Sequence, residues 1–155
     1  MKKSLLIVFL FACVAIAPMW SFGIGGAFGL DFAGGTVGPG ALLSFSLDTY
    51  PAVFGVGASF GGGSISLGAT ADWWLFYTNL VGILALYIGP GIYIDIRIGS
   101  GDGSFGIGAR VPIGLQAWIL DPLEAFLEIA PTFGLKNGNF PAFGLQGAIG
   151  FRFWF

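Results

Sequence analysis

The sequence predicts an all-β fold: an eight-stranded, antiparallel, up-and-down β-barrel that spans a membrane. Three observations predict it. The chain is 55% hydrophobic and 17% aromatic but only 9% charged, whereas a soluble domain carries about 25% charged residues. Apolar residues recur with period two in eight segments, the pattern of strands with one apolar face. The face opposite the bulky one is mostly Gly, Ala and Ser. That face is a poor surface for water but fits the inside of a narrow barrel. A soluble sandwich or lipocalin-like sheet also alternates, but it hides its large apolar groups and shows its charges.

The chain opens with "MKKSLLIVFLFACVAIAPMWSFG". Two lysines, an apolar run from Leu5 to Ala17 and then small residues form the three-part layout of a secretory signal peptide. The run is shorter than the roughly 20 residues a spanning helix needs. Cleavage is expected after Gly23, giving a leader over 1–23 and a barrel domain over 24–155. "LFAC" is a loose match to a lipoprotein box at Cys13, with bulky Phe11 against it.

The segments then follow in order. Residues 22–32 place Phe22, Ile24, Phe28, Leu30 and Phe32 on one face. Residues 41–47 place Leu43, Phe45 and Leu47 opposite Ser44 and Ser46. Residues 52–60 carry Phe54, Val56 and Phe60. Residues 65–73 carry Ile65, Leu67 and Trp73 opposite Ser66, Thr70 and Asp72. Residues 84–98 set Leu, Ile and Pro against Tyr87, Tyr93, Asp95 and Arg97. Residues 105–119 set Phe105, Ile107, Val111 and Ile113 against Arg110, Gln116 and Trp118. Residues 123–135 set Leu127, Ile129 and Phe133 against Glu124 and Glu128. Residues 143–155 end on "GFRFWF", with Phe151, Phe153 and Phe155 facing lipid and Arg152 and Trp154 facing inward. Turn signals such as "GGG", "GSGDG", "DP" and "KNGN" separate most segments. The fourth gap, around "WLFYTNLVG", is aromatic instead. Pro90, Pro112 and Pro131 fall inside predicted strands, where a closed barrel has no edge to hide a missing N–H. A bulge or an early strand end is expected at each.

Composition excludes several function classes. There is no His, which removes His-based triads and His metal sites, and the single Cys cannot form an internal disulfide. Formal charge is −2 with no basic run, so nucleic acid is not an expected partner. Glu124 and Glu128 share a face but lie roughly 13–14 Å apart along a strand by its rise, too far for paired-carboxylate catalysis. "GIGGAFG" at 23–29 matches a nucleotide-binding string but opens no helix. No catalytic, cofactor or metal residues are predicted.

Parity points Asp95, Arg97, Arg110, Glu124, Glu128 and Arg152 inward, with opposite signs on neighbouring strands. A lumen ion-pair network of these six is therefore expected. The first four segments offer a wall of Gly and Ser and the last four a wall of large side chains, so the large half is expected to lean across and close the channel.

The stretch "RVPIGLQAWILDPLEAFLEIAPTFGL" followed by "LQGAIGFRFWF" resembles the C-terminal half of a family of small spirochaete outer-membrane barrels. Their transmembrane domain is similar to the OmpA/OmpX type. The resemblance is clearest over 104–155. It implies an eight-stranded barrel without enzyme activity and brings no site residues with it. The chain departs from the OmpX pattern in its short outer loops. The Phe151, Phe153 and Phe155 ending resembles the signal read by the barrel-assembly machinery.

The expected partners are therefore the bilayer and, during biogenesis, that machinery. A monomer is expected in the outer membrane, in a structural or general envelope role. A surface adhesin or host-protein-binding barrel is the alternative, with a small-solute channel third.

Overall fold

The computed structural model describes residues 21–33, 36–48, 51–99 and 103–155. Eleven strands run through them: β1 (Phe22–Ala33), β2 (Thr36–Leu47), β3 (Ala52–Gly61), β4 (Ser64–Trp73), β5 (Phe76–Val81), β6 (Leu84–Ile88), β7 (Gly91–Gly99), β8 (Ser104–Arg110), β9 (Ile113–Leu120), β10 (Leu123–Lys136) and β11 (Asn139–Trp154). They form eight staves. β4 and β5 are one stave, β6 and β7 the next, β8 and β9 the next. The pairing register is unchanged across two of these breaks: Gly91 opposes Arg110 above and Ile88 opposes Ile113 below.

Among the described residues all pairings between strands are antiparallel, and β11 pairs with both β10 and β1, so the sheet closes on itself. Directly opposed residues can be followed around the ring from Gly23 through Ser46, Val53, Asp72, Gly91, Arg110 and Thr132 to Gly144. Asp31 opposes Gln146, so Gly144 lies level with position 33, ten residues beyond Gly23. That stagger is what tilts the staves of a closed barrel.

Parity sorts the two faces as the sequence predicts. Phe28, Leu43, Val56, Ile92, Phe143 and Phe151 are exposed on the outside, while Ser44, Tyr87, Glu124, Phe126 and Arg152 are buried inside. A water-soluble sheet of this size would carry the reverse arrangement.

Two expectations change. The "WLFYTNLVG" stretch is not a connection: it holds β5, and the turn is only Gly82–Ile83. The pairing sum shifts by one residue between Asp72↔Gly91 and Phe76↔Ile88, so a bulge at Trp73–Leu75 interrupts the alternation and hides the strand from a period-two reading. Of the three prolines only Pro131 departs from expectation: strands end before Pro90 and Pro112, and the bulge at Trp73–Leu75 faces Gly89–Pro90. Staves divide at Gly89–Pro90 and Val111–Pro112 but run unbroken through Pro131. Each proline keeps half of its ladder pair. The Pro90, Pro112 and Pro131 carbonyls accept from the N–H of Trp73 (2.8 Å), Gly89 (3.3 Å) and Val111 (3.0 Å). Only the return bond is lost.

The near rim is the end where β1 begins and β11 finishes. There the Phe155 N–H donates to the Phe22 carbonyl (3.0 Å), and the two rings stack with centroids 5.3 Å apart. The predicted leader boundary at Gly23 falls inside β1, whose Gly23 opposes Trp154. Residues 1–20, with Cys13, lie outside the described residues.

Candidate functional site

The polar interior is built from side chains of six staves. β10 and β11 supply the first cluster. Glu124 and Arg152 are directly opposed in the ladder, and the Arg152 Nη1 pairs with the Glu124 Oε1. Arg152 Nε donates to Ser44 Oγ over Gly25 of the intervening β1 (2.8 Å), and Trp154 Nε1 donates to Glu124 Oε2 (2.6 Å). The guanidinium also lies over the rings of Phe126 (4.1 Å to centroid) and Trp74 (5.3 Å). Glu124 and Arg152 are 0% and 1% exposed. A charge at that depth persists only when its partners are supplied.

The second cluster centres on Arg110. Its Nη2 pairs with Glu128 Oε1, its Nη1 donates to Gln146 Oε1 (3.0 Å), and its Nε lies 3.2 Å from Asp72 Oδ1. The Tyr87 hydroxyl donates to the other oxygen of Glu128 (2.9 Å), and the Tyr87 ring stacks on Trp74 at 4.0 Å. Trp74 thus touches both clusters. Glycines leave the room these side chains occupy. A Cβ on Gly114 would collide with the Tyr87 ring, one on Gly91 with Asp72, and one on Gly25 with the backbone of Phe151 and Arg152.

The six predicted network residues divide. Arg110, Glu124, Glu128 and Arg152 come together. Among the described residues no ion pair joins Asp95 or Arg97 to them. Both sit toward the far rim, where Arg97 Nε donates to Ser66 Oγ (2.9 Å) and Asp95 and Lys136 oppose Gly106 from either side. Asp72, Ser44, Tyr87, Gln146 and Trp74 complete the clusters and were not expected there. Inward parity marks the first four as lumen residues. Only the stagger of the staves says which of them meet. Trp74 follows the bulge and left no signal.

The large side chains fill only part of the lumen. Beyond the clusters, toward the far rim, the small-residue wall leaves a cavity of about 130 Å³ lined by Gly40, Gly55, Gly57, Gly68, Thr70 and Tyr93. Arg110, Glu128 and Arg152 of the clusters border the same cavity. Among the described residues no group of His, Cys, Asp and Glu could hold a metal ion. Both buried glutamates are engaged on both oxygens.

No protein-family model and no curated protein matches the sequence. Solved structures do match by shape. Neisserial surface protein A aligns with a TM-score of 0.54 at 14% identity, covering 88% of this chain and 97% of that one. The N-terminal β-barrel domain of Pseudomonas aeruginosa OprF aligns at 0.54 and 16%, covering 86% and 97%. Ail, the attachment invasion locus protein of Yersinia pestis, aligns at 0.51 and 11%, covering 88% and 97%. The fold is that of the eight-stranded outer-membrane β-barrels. As in any such barrel, the apolar face is the one turned to lipid. The buried clusters are then the contents of its lumen.

Proposed function

We propose that this protein is a non-catalytic outer-membrane barrel with a structural role in the envelope, its lumen shut by the two ion-pair clusters. The observation behind this is the position of Arg152 and Arg110: both are bonded inside the lumen to residues one and two staves away, and the Arg152 guanidinium reaches Trp74 on the opposite wall. Single-channel recording on the refolded full chain checks it. The expected trace is a flat baseline; steady, ion-selective steps would overturn the closed lumen and favour a small-solute channel. The sequence resemblance over 104–155 further supports membership in the small spirochaete-type group.

A surface-binding role is the second reading. The name of Ail describes an attachment protein, and surface recognition usually resides in loops. Against it, β3 and β4 are joined by two residues, as are β10 and β11. These far-rim connections offer little surface to a partner.

Export by the leader, with the near rim on the periplasmic side, completes the proposal, and the barrel acts as a monomer. The assembly machinery reads the Phe151, Phe153 and Phe155 ending. Deleting Phe155 is expected to lower the yield of inserted barrel in cells more than it lowers the stability of barrel already folded. The deletion loses one hydrogen bond and two ring contacts, with Phe22 and Phe153, about 1–3 kcal/mol. Equal insertion yields for the two chains would count against the signal.

A further inference from the structure

We infer that the β5–β6 hairpin, with the adjoining end of β9, is a one-sided interfacial anchor that sits in the lipid headgroup layer at the near rim. The last bond between the third and fourth staves runs from the Trp74 N–H to the Pro51 carbonyl (2.7 Å). All of Phe76–Val81 lies beyond it, and among the described residues β5 pairs with β6 alone. Six residues extend about 20 Å along a strand, which a tilt of about 40° reduces to about 15 Å along the barrel axis. The wall thus projects past the rim on one side only.

The chemistry of this lip is specific. Phe76, Tyr77, Leu80, Val81 and Ile83 are exposed, as are Ile119 and Leu120 beside them; Val81 reaches 73%. No charged residue occurs between Asp72 and Asp95. The other two connections at this rim each carry an exposed carboxylate, Asp48 after β2 and Asp121 between β9 and β10. Bulk water is a poor environment for such a surface. The hydrocarbon core is excluded as well, because the second edge of β5 would leave backbone groups unsatisfied there. The headgroup region meets both demands, since it offers polar partners to the edge and an apolar boundary to the side chains. Trp73, Phe76 and Tyr77 with Thr78 and Asn79 are the mixture that settles at that depth. The lip carries no charge to recognise a charged protein surface, which favours lipid as its occupant. The lipid belt is then taller on staves four to six than on staves one to three, and the barrel tilts to bury it.

Depth-dependent quenching tests this on the full chain in a Cys13→Ser background. Val81→Cys and Asp48→Cys are each labelled with an environment-sensitive fluorophore. The protein is folded into phosphatidylcholine vesicles containing headgroup spin-labelled phosphatidylcholine. Lipid quenching at Val81→Cys is expected to be about threefold stronger than at Asp48→Cys, with aqueous iodide quenching in the reverse order. Equal lipid quenching at the two sites would overturn the anchor. Shielding of Val81→Cys from lipid and iodide alike would overturn it in favour of a protein cover. Ile83→Cys, in the turn itself, serves as a second reporter should Val81→Cys fail to give a folded, heat-modifiable band.

Discussion

Replacing Arg152 with alanine is expected to cost about 3–5 kcal/mol of unfolding free energy in bilayers, the range for breaking a buried ion pair from one side. Most of that cost comes from the groups that stay behind. Glu124 stays in place at 0% exposure with its charge partner gone, and Ser44 loses its donor. The guanidinium also leaves the faces of two rings, and a space opens between Phe126 and Trp74. Urea-driven unfolding in vesicles, followed by gel mobility, reads the change. Joint replacement by Glu124→Gln and Arg152→Met should recover much of the loss, because it removes the stranded charge as well as its partner. A loss under about 1 kcal/mol for Arg152→Ala, the level of an exposed pair, would mean that water reaches this cluster.

The second large effect has the opposite address. Leu43 is 71% exposed at the middle of β2. Leu43→Arg is expected to destabilise by about 2–4 kcal/mol, the cost of arginine at the bilayer midplane. The same change on the wet face of a soluble sheet would fall within about ±0.5 kcal/mol. The comparison therefore measures the medium that surrounds the outer face. It is read by the same unfolding assay, with Leu43→Ala as the control for lost apolar area. A neutral Leu43→Arg would be incompatible with a lipid-facing β2.

What could be read from the sequence follows from what period two encodes. Alternation reports which side of the wall a residue faces, so it puts Arg152, Glu124, Glu128 and Arg110 on the face that is buried, and Phe28 and Leu43 on the face that is exposed. It does not report height. Asp95 and Arg97 share the inward face with Tyr87 on the same stave but sit toward the other end, near Gly106 and Ser66. Asp72 and Arg110 meet because both oppose Gly91, one from each side, and because that glycine leaves space between them. Such a meeting depends on the register of two hairpins at once. β5 stayed hidden because the bulge beside Trp74 inverts the parity partway along its stave.

That bulge also has a bearing on changes in chain length. In a stave bonded on both sides, one inserted residue turns every later side chain to the wrong face. In β11 an insertion would send phenylalanine toward the ion pairs and Arg152 toward lipid. The fourth stave already holds one extra residue, placed where its third-stave neighbour ends and only one paired edge continues. Below that point a further insertion or deletion disturbs one ladder instead of two, and no ion pair hangs from it. The stretch from Leu75 to Ile83 is therefore where this wall can gain or lose residues while the contents of the lumen stay in place.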